Sequence, residues 1–217
     1  MDIEKIFNAI RPNYPIRKYV DVFGKISKNF KEDILKLNKL GYFDEDFEEI
    51  SIDDICKKVG VDKKDIDEII EKTKFEVEGA VYYRNGERFF VRGKEDKVGI
   101  KASELYLISN FIHSHPKGTS FSMKDIELII ENEIPHITAF NDEYFYSLKI
   151  EDFNKLKNIE KIIQNEADLV YNMLYKKFER GEISYSQLLF AINHKIWKNV
   201  SKKLKEFMYE YYRIKKF

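Results

Sequence analysis

Apolar positions along the chain change period twice, and those changes divide it into three parts. Over residues 1–72 the period is helical. Ile3, Ile6, Phe7 and Ile10 share one face before Pro12 and Pro15 interrupt it. Val20, Phe23, Ile26, Phe30, Ile34 and Leu37 then form a second stripe from Arg17 to Leu40, with Gly41 as its stop. Ser51 caps a short helix carrying Ile52, Ile55, Cys56 and Val59, Gly60 ends it, and Asp62 starts another with Ile66, Ile69 and Ile70. Near Phe75 the pattern alternates instead. Phe75–Tyr83 and Arg88–Arg92 read as strands joined by Arg84-Asn85-Gly86-Glu87, and Asn-Gly between β-rich runs is a strong hairpin signal.

Further along, Ser103–Ile108 reads as a helical turn or two leading into a short strand, Phe111-Ile112-His113. Ile126, Ile129 and Ile130 give a helix its buried face, and Ile134–Phe140 and Tyr144–Ile150 read as strands. From Glu151 the helical period returns through Phe153, Leu156, Ile159, Ile162 and Ile163 and then Leu169–Phe178. Gly181 separates these from a last stretch with Leu188, Leu189, Ile192, Ile196, Trp197, Val200 and Leu204. The expected plan is a helical domain at 1–72, a compact α/β unit at 73–150 and a helical extension at 151–217.

Composition narrows the function classes. The 217 residues are 43% hydrophobic, enough for a core, and 35% charged, with 38 side chains of each sign. A neutral total gives no electrostatic reason to expect nucleic acid as the main partner. The last third is locally basic: residues 151–217 hold 14 basic and 9 acidic side chains. Its end, Lys202-Lys203-Leu204-Lys205 through Lys215-Lys216, with Phe207, Tyr209, Tyr211 and Tyr212 interleaved, reads as an amphipathic final helix with solvated lysines. A basic face for RNA or an acidic protein is the alternative. The Ser51–Ile70 pair resembles a helix-turn-helix, but Lys63-Lys64-Asp65-Ile66-Asp67-Glu68 carries more acid than base, a poor surface for phosphates. Cys56, the single cysteine, excludes an internal disulfide, fits a reducing compartment and reads as a buried small residue. With no signal-like N-terminal h-region and no run of about 18 apolar residues, the expected location is the cytoplasm.

The chemistry concentrates in His113-Ser114-His115-Pro116, followed by Ser122 and Asp125. Side chains two apart on a strand share a face, so both imidazoles can reach one ion. Pro116 and Gly118 turn the chain, and a helix starting at Ser122 brings Asp125 back. Three protein ligands leave a fourth tetrahedral position open for water, as catalytic zinc requires. Ser122 and Asp125 are equally the two ends of a capping box. His136 and His194 lack such neighbours and read as structural. Hydrolysis also needs a carboxylate to carry the proton of the water to the leaving amine, and Glu76 or Glu78 on the preceding strand is the candidate. The Ser122 hydroxyl is the nearest donor in sequence for a developing oxyanion.

Glu, His-x-His-Pro and Ser-x-x-Asp in this order resemble the signature of the JAB/JAMM metalloproteases, over about residues 75–150. The run Glu78-Gly79-Ala80, Asn85-Gly86, Ser103–Ile108 and His113–Ile126 is most similar to the JAB-like domain of phage head-associated and related prokaryotic proteins. The resemblance implies an α+β fold, a mixed sheet with helices of the cytidine-deaminase-like kind. It implies Zn2+ on His113, His115 and Asp125, Glu78 as acid/base and Ser122 at the oxyanion. It also implies cleavage of a peptide or isopeptide bond, as at the C-terminus of a ubiquitin-like protein. One departure is a loop from Pro116 to Lys124 one residue shorter than is usual in the family. Folds of this type also serve as scaffolds in larger assemblies, which is the alternative for this chain.

Overall fold

The computed structural model describes residues 47–94, 98–156 and 158–216. The helices expected at 3–10 and 17–40 lie outside the described residues. The chain forms two compact units, one of Asp46–Ile159 with Asn193–Phe217, the other including Glu160–Ile192. The first unit therefore runs across both boundaries expected at 72 and 150.

Along the chain come β1 (Glu48–Ile50), α1 (Ile52–Val59), α2 (Lys63–Thr73), β2 (Gly79–Arg84), β3 (Glu87–Arg92) and α3 (Ala102–Leu105). Then follow β4 (Ile108–Ser114), α4 (Met123–Glu131), β5 (His136–Phe140), β6 (Tyr144–Ile150), α5 (Ile159–Glu179), α6 (Tyr185–Lys203) and β7 (Phe207–Ile214). The strands make one α+β sheet in the order β1-β7-β6-β5-β4-β2-β3. It is mixed: β1–β7 and β4–β5 run parallel, the other pairs antiparallel. Among the described residues no helix is long and apolar enough to cross a membrane.

Local signals set the first helix pair as the sequence suggests. The Ser51 side chain accepts from Asp54 N, Gly60 ends α1 at φ 71°, and Asp62 caps α2. Ile55, Cys56, Val59, Ile66 and Ile69 pack on Val81, Ile112, Phe140, Phe145 and Tyr212, one face of the sheet. A buried carboxylate on α2 ties the helix to the sheet. Buried Asp65 accepts from Tyr83 Oη at 2.9 Å and from Arg88 Nε at 2.7 Å, which ties α2 to the β2–β3 hairpin. Cys56 is buried as expected, and burial first, with Asp53 nearby, pushes its thiol up to about 11.

Four expectations change. Residues 48–50, within the span expected to be helical, form β1 because they pair in parallel with β7. The strand expected at Phe111–His113 already begins at Ile108 and runs to Ser114, pairing with β2 and β5. The strand expected from Phe75 begins only at Gly79, because α2 runs to Thr73 and both Lys74 and Phe75 turn through left-handed conformations (φ 50° and 56°). Glu76 therefore does not share a strand face with Glu78. The expected final helix is the strand β7, inserted between β6 and β1, with Phe207 opposite Ile150 and Tyr212 opposite Phe145 and Glu48. Without β7 the edge of β6 would lack ladder partners, and that tertiary demand outweighs the local helical pattern. The hairpin holds: Asn85 and Gly86 have φ 53° and 81°, as a type I′ turn requires.

A close approach fixes the start of β2. A Cβ at Gly79 would lie 2.5 Å from Thr73 Cγ2, while Gly79 N donates to Ser114 Oγ at 2.9 Å. Gly79→Ala should cost about 1–3 kcal/mol in urea denaturation, and Thr73→Ser, which removes the clashing methyl, should restore much of it. His136 gives a pH test. Its Nε2 meets Ser147 Oγ at 2.9 Å, and burial, with Lys149, holds its pKa down at about 4. The fold favours the neutral ring, so this stability is complete above the unfolded value near 6.5 and is lost as pH falls from there towards 4. The denaturation midpoint of the unaltered chain should drop more steeply over that window than that of His136→Asn.

Candidate metal centre

His113 lies near the end of β4 on the sheet face opposite Ile112. Its neighbours across the ladders are Ala80 on β2 and Ala139 on β5, small residues that leave room for the imidazole. Phe111 stacks on it at a ring separation of 5.0 Å. His115 N donates to Phe140 O at 2.7 Å, so the ladder with β5 continues past Ser114 and keeps both histidines on one face. Gly118, at φ 72°, closes a turn by donating to His115 O at 2.7 Å. The chain then enters α4 through a full capping box between Ser122 and Asp125. Cap and ligand are thus one arrangement: the cap aims Asp125 at the histidines.

Ligand atoms of His113, His115 and Asp125 all lie within 4.8 Å of one another. His113 Nε2 and His115 Nε2 are 2.8 Å apart, and they lie 3.7 Å and 3.6 Å from Asp125 Oδ1 and Oδ2. Two nitrogens bound to a tetrahedral zinc at roughly 2.0–2.1 Å would be about 3.3 Å apart. The observed spacings straddle that value.

The tautomers of the two histidines also fit a metal. His115 Nδ1 is 2.8 Å from the Thr119 carbonyl, so it bears the proton and Nε2 carries a lone pair. His113 must then donate from Nε2 to His115, which leaves its own Nδ1 buried without a hydrogen bond. The Thr138 backbone acts on His113, but outside hydrogen-bonding geometry. A cation in place of the shared proton would take both Nε2 lone pairs and move the His113 proton to Nδ1, towards Thr138. The orphaned nitrogen is what a metal-accepting site would show. Charge fits as well. Burial, then His115, pushes His113 down to about 3, so it is a neutral imidazole ready to ligate. Burial alone would raise the Asp125 carboxyl, but the two histidines and the Ser122 hydrogen bonds outweigh it and hold it below the usual range.

A cavity of about 380 Å³ opens on this group. Glu78 lines it together with His113, His115, Ser122 and Asp125; Glu76 does not. Glu78 N donates to Lys94 O and its carbonyl accepts from Gly93 N, both at 2.8 Å, which fixes the backbone that carries the carboxylate. Ser122 is in the cavity wall, but its hydroxyl donates to Asp125 Oδ2 at 2.8 Å, and Ser122 N donates to the same oxygen at 2.6 Å. One hydroxyl proton cannot serve Asp125 and an oxyanion together. Asp125 Oδ1 is the oxygen turned to His113. His136 and His194 lie outside the group; His194 is buried with Nδ1 2.9 Å from Tyr209 Oη. Sequence reasoning missed the exposed Lys117 and Lys124 on the cavity wall, since surface lysines carry no periodic signal.

Comparison with protein-family models, curated proteins and solved structures gave no match.

Metal uptake has a direct thermodynamic readout. A divalent ion that the group holds, with zinc as the first probe, should add about 2.7 kcal/mol of stability at about a hundred times its Kd. That increment should vanish in His113→Ala and Asp125→Ala while both variants remain folded by circular dichroism.

Proposed function

We propose that the protein is a zinc-dependent peptidase of the JAB/JAMM type, hydrolysing a peptide or isopeptide bond. The observation that carries this reading is the convergence of His113 Nε2, His115 Nε2 and the Asp125 carboxylate in a cavity that Glu78 also lines. The cavity lies at the carboxyl end of β4, where the chain leaves for α4 and returns as the parallel neighbour β5. Open α/β sheets place ligands at such ends. The mixed sheet is compatible with the JAB-like, cytidine-deaminase-like arrangement that the motif implies.

In this reading His113, His115 and Asp125 hold the ion. A bound zinc would polarise the scissile carbonyl and lower the pKa of a water bound to it to about 7. Glu78 takes the proton from the attacking water as the new C–O bond forms, and gives it to the leaving nitrogen as the C–N bond then breaks, so no net proton is left over. Its pinned backbone keeps the carboxylate in place for both transfers. Ser122 serves first as the support of Asp125; donating to the oxyanion requires its proton to leave Oδ2. A cavity of about 380 Å³ takes a short extended stretch of peptide, such as the narrow C-terminal tail of a ubiquitin-like protein. Lys117 and Lys124 add positive charge beside the site, so assay peptides should carry acidic residues next to the scissile bond.

Glu78→Gln decides between enzyme and scaffold. It should lower hydrolysis about 10²–10⁴-fold while the protein keeps one zinc per chain. Loss of the zinc would assign Glu78 to metal binding or folding. A zinc-loaded chain that cleaves no peptide with or without Glu78 would leave the scaffold reading.

A further inference from the structure

The loop between the ligand histidines and α4 has no secondary structure of its own, yet four consecutive residues in it have a polar atom fixed by a side chain from elsewhere. Gly118 O accepts from Tyr146 Oη at 3.0 Å. Thr119 O receives His115 Nδ1–H. Ser120 Oγ is 2.7 Å from Tyr209 Oη, which is in turn 2.9 Å from His194 Nδ1. Phe121 O accepts from Trp197 Nε1 at 2.8 Å. All of these side chains are buried, with Tyr146, Trp197 and His194 fully so.

Ring packing reinforces the same segment. The Phe121 ring is 6.2 Å from that of Tyr209, and 6.4 Å from those of Tyr146 and His113. Tyr146 and Tyr209 stack nearly parallel, at 2°. Their strands pair directly: β6 and β7 carry Tyr146 and Tyr209 on the face that also bears His113.

We infer that Tyr146, Trp197 and Tyr209 are positioning residues of the metal centre: they hold the 118–121 loop so that the Thr119 carbonyl fixes the tautomer and ring orientation of His115. This inference rests on the metal-binding reading but not on peptidase activity. His115 needs its Nδ1 proton directed outwards to keep Nε2 free for the ion, and a carbonyl on a free loop would direct it poorly. Buried hydrogen bonds on either side of Thr119 leave its carbonyl little freedom. It follows that Asn193–Ile214 is no dispensable extension, since the strand and helix end it contributes complete the site.

The test is zinc affinity by competition with a chromophoric chelator, together with the visible absorption spectrum of the cobalt-substituted protein. Tyr146→Phe and Tyr209→Phe each remove one hydroxyl and keep the ring; Trp197→Phe removes the indole donor. Each should weaken zinc binding about 10–100-fold and alter the cobalt spectrum. Tyr212→Phe is the control, because it is equally buried on the same strand but faces the other side of the sheet. It should leave affinity and spectrum unchanged whatever it does to thermal stability. Should Tyr209→Phe fail to fold, Ser120→Ala breaks the same contact from the loop side. Wild-type affinity in Tyr146→Phe together with either Tyr209→Phe or Ser120→Ala, or an equal loss in Tyr212→Phe, would overturn the positioning role. An unaltered chain that takes up no zinc would instead remove the metal centre itself.

Discussion

The register of β4 between β2 and β5 is the constraint on which the site depends. Side chains alternate across a strand, so placing Ile112 against α1 and α2 sends His113 to the opposite face. A slip of one residue would exchange them, burying an imidazole among aliphatic side chains and turning Ile112 to the cavity. The apolar helix layer therefore sets the face that carries the His113–His115–Asp125 group. Ala80 and Ala139, opposite His113 on both neighbours, show the same fit in volume, since a larger residue in either place would fill the space of the ring.

Burial supplies the electrostatics. A neutral, desolvated His113 and an anionic, hydrogen-bonded Asp125 are the protonation states a divalent cation needs, and the fold by itself favours both. The capping box performs two tasks with one set of atoms: it satisfies orphan donors of α4 and holds Asp125 by Oδ2, with Oδ1 turned to His113 and Oδ2 also 3.6 Å from His115 Nε2. The Ser122 hydroxyl is drawn into that support, so its one proton is committed to Asp125.

Much of this was legible in the chain. Asn85-Gly86, the caps at Ser51, Asp62 and Ser122, and the period-two run of Tyr144–Ile150 act within a few residues, so local signals were sufficient. The misreadings are non-local. Phe75 looks like a strand residue but turns through a left-handed conformation to place its ring against Phe140. At the other end, Phe207, Tyr209 and Tyr211 do alternate, but the lysines before them read as the continuation of a helix. Only the open edge of β6 decides the matter.

By itself the sequence determined the residue types of the candidate metal group and their spacing, because two histidines two apart and a capped aspartate are set by backbone geometry over a dozen residues. It also determined that strand-forming segments follow Phe75 and lie between helical ones, through the change of hydrophobic period. Tertiary structure alone chose Glu78 over Glu76 for the cavity wall and brought Tyr209 and Trp197 to the 118–121 loop. Those placements depend on which strands pair and on which face each helix covers, contacts between residues up to 89 positions apart that no local pattern encodes.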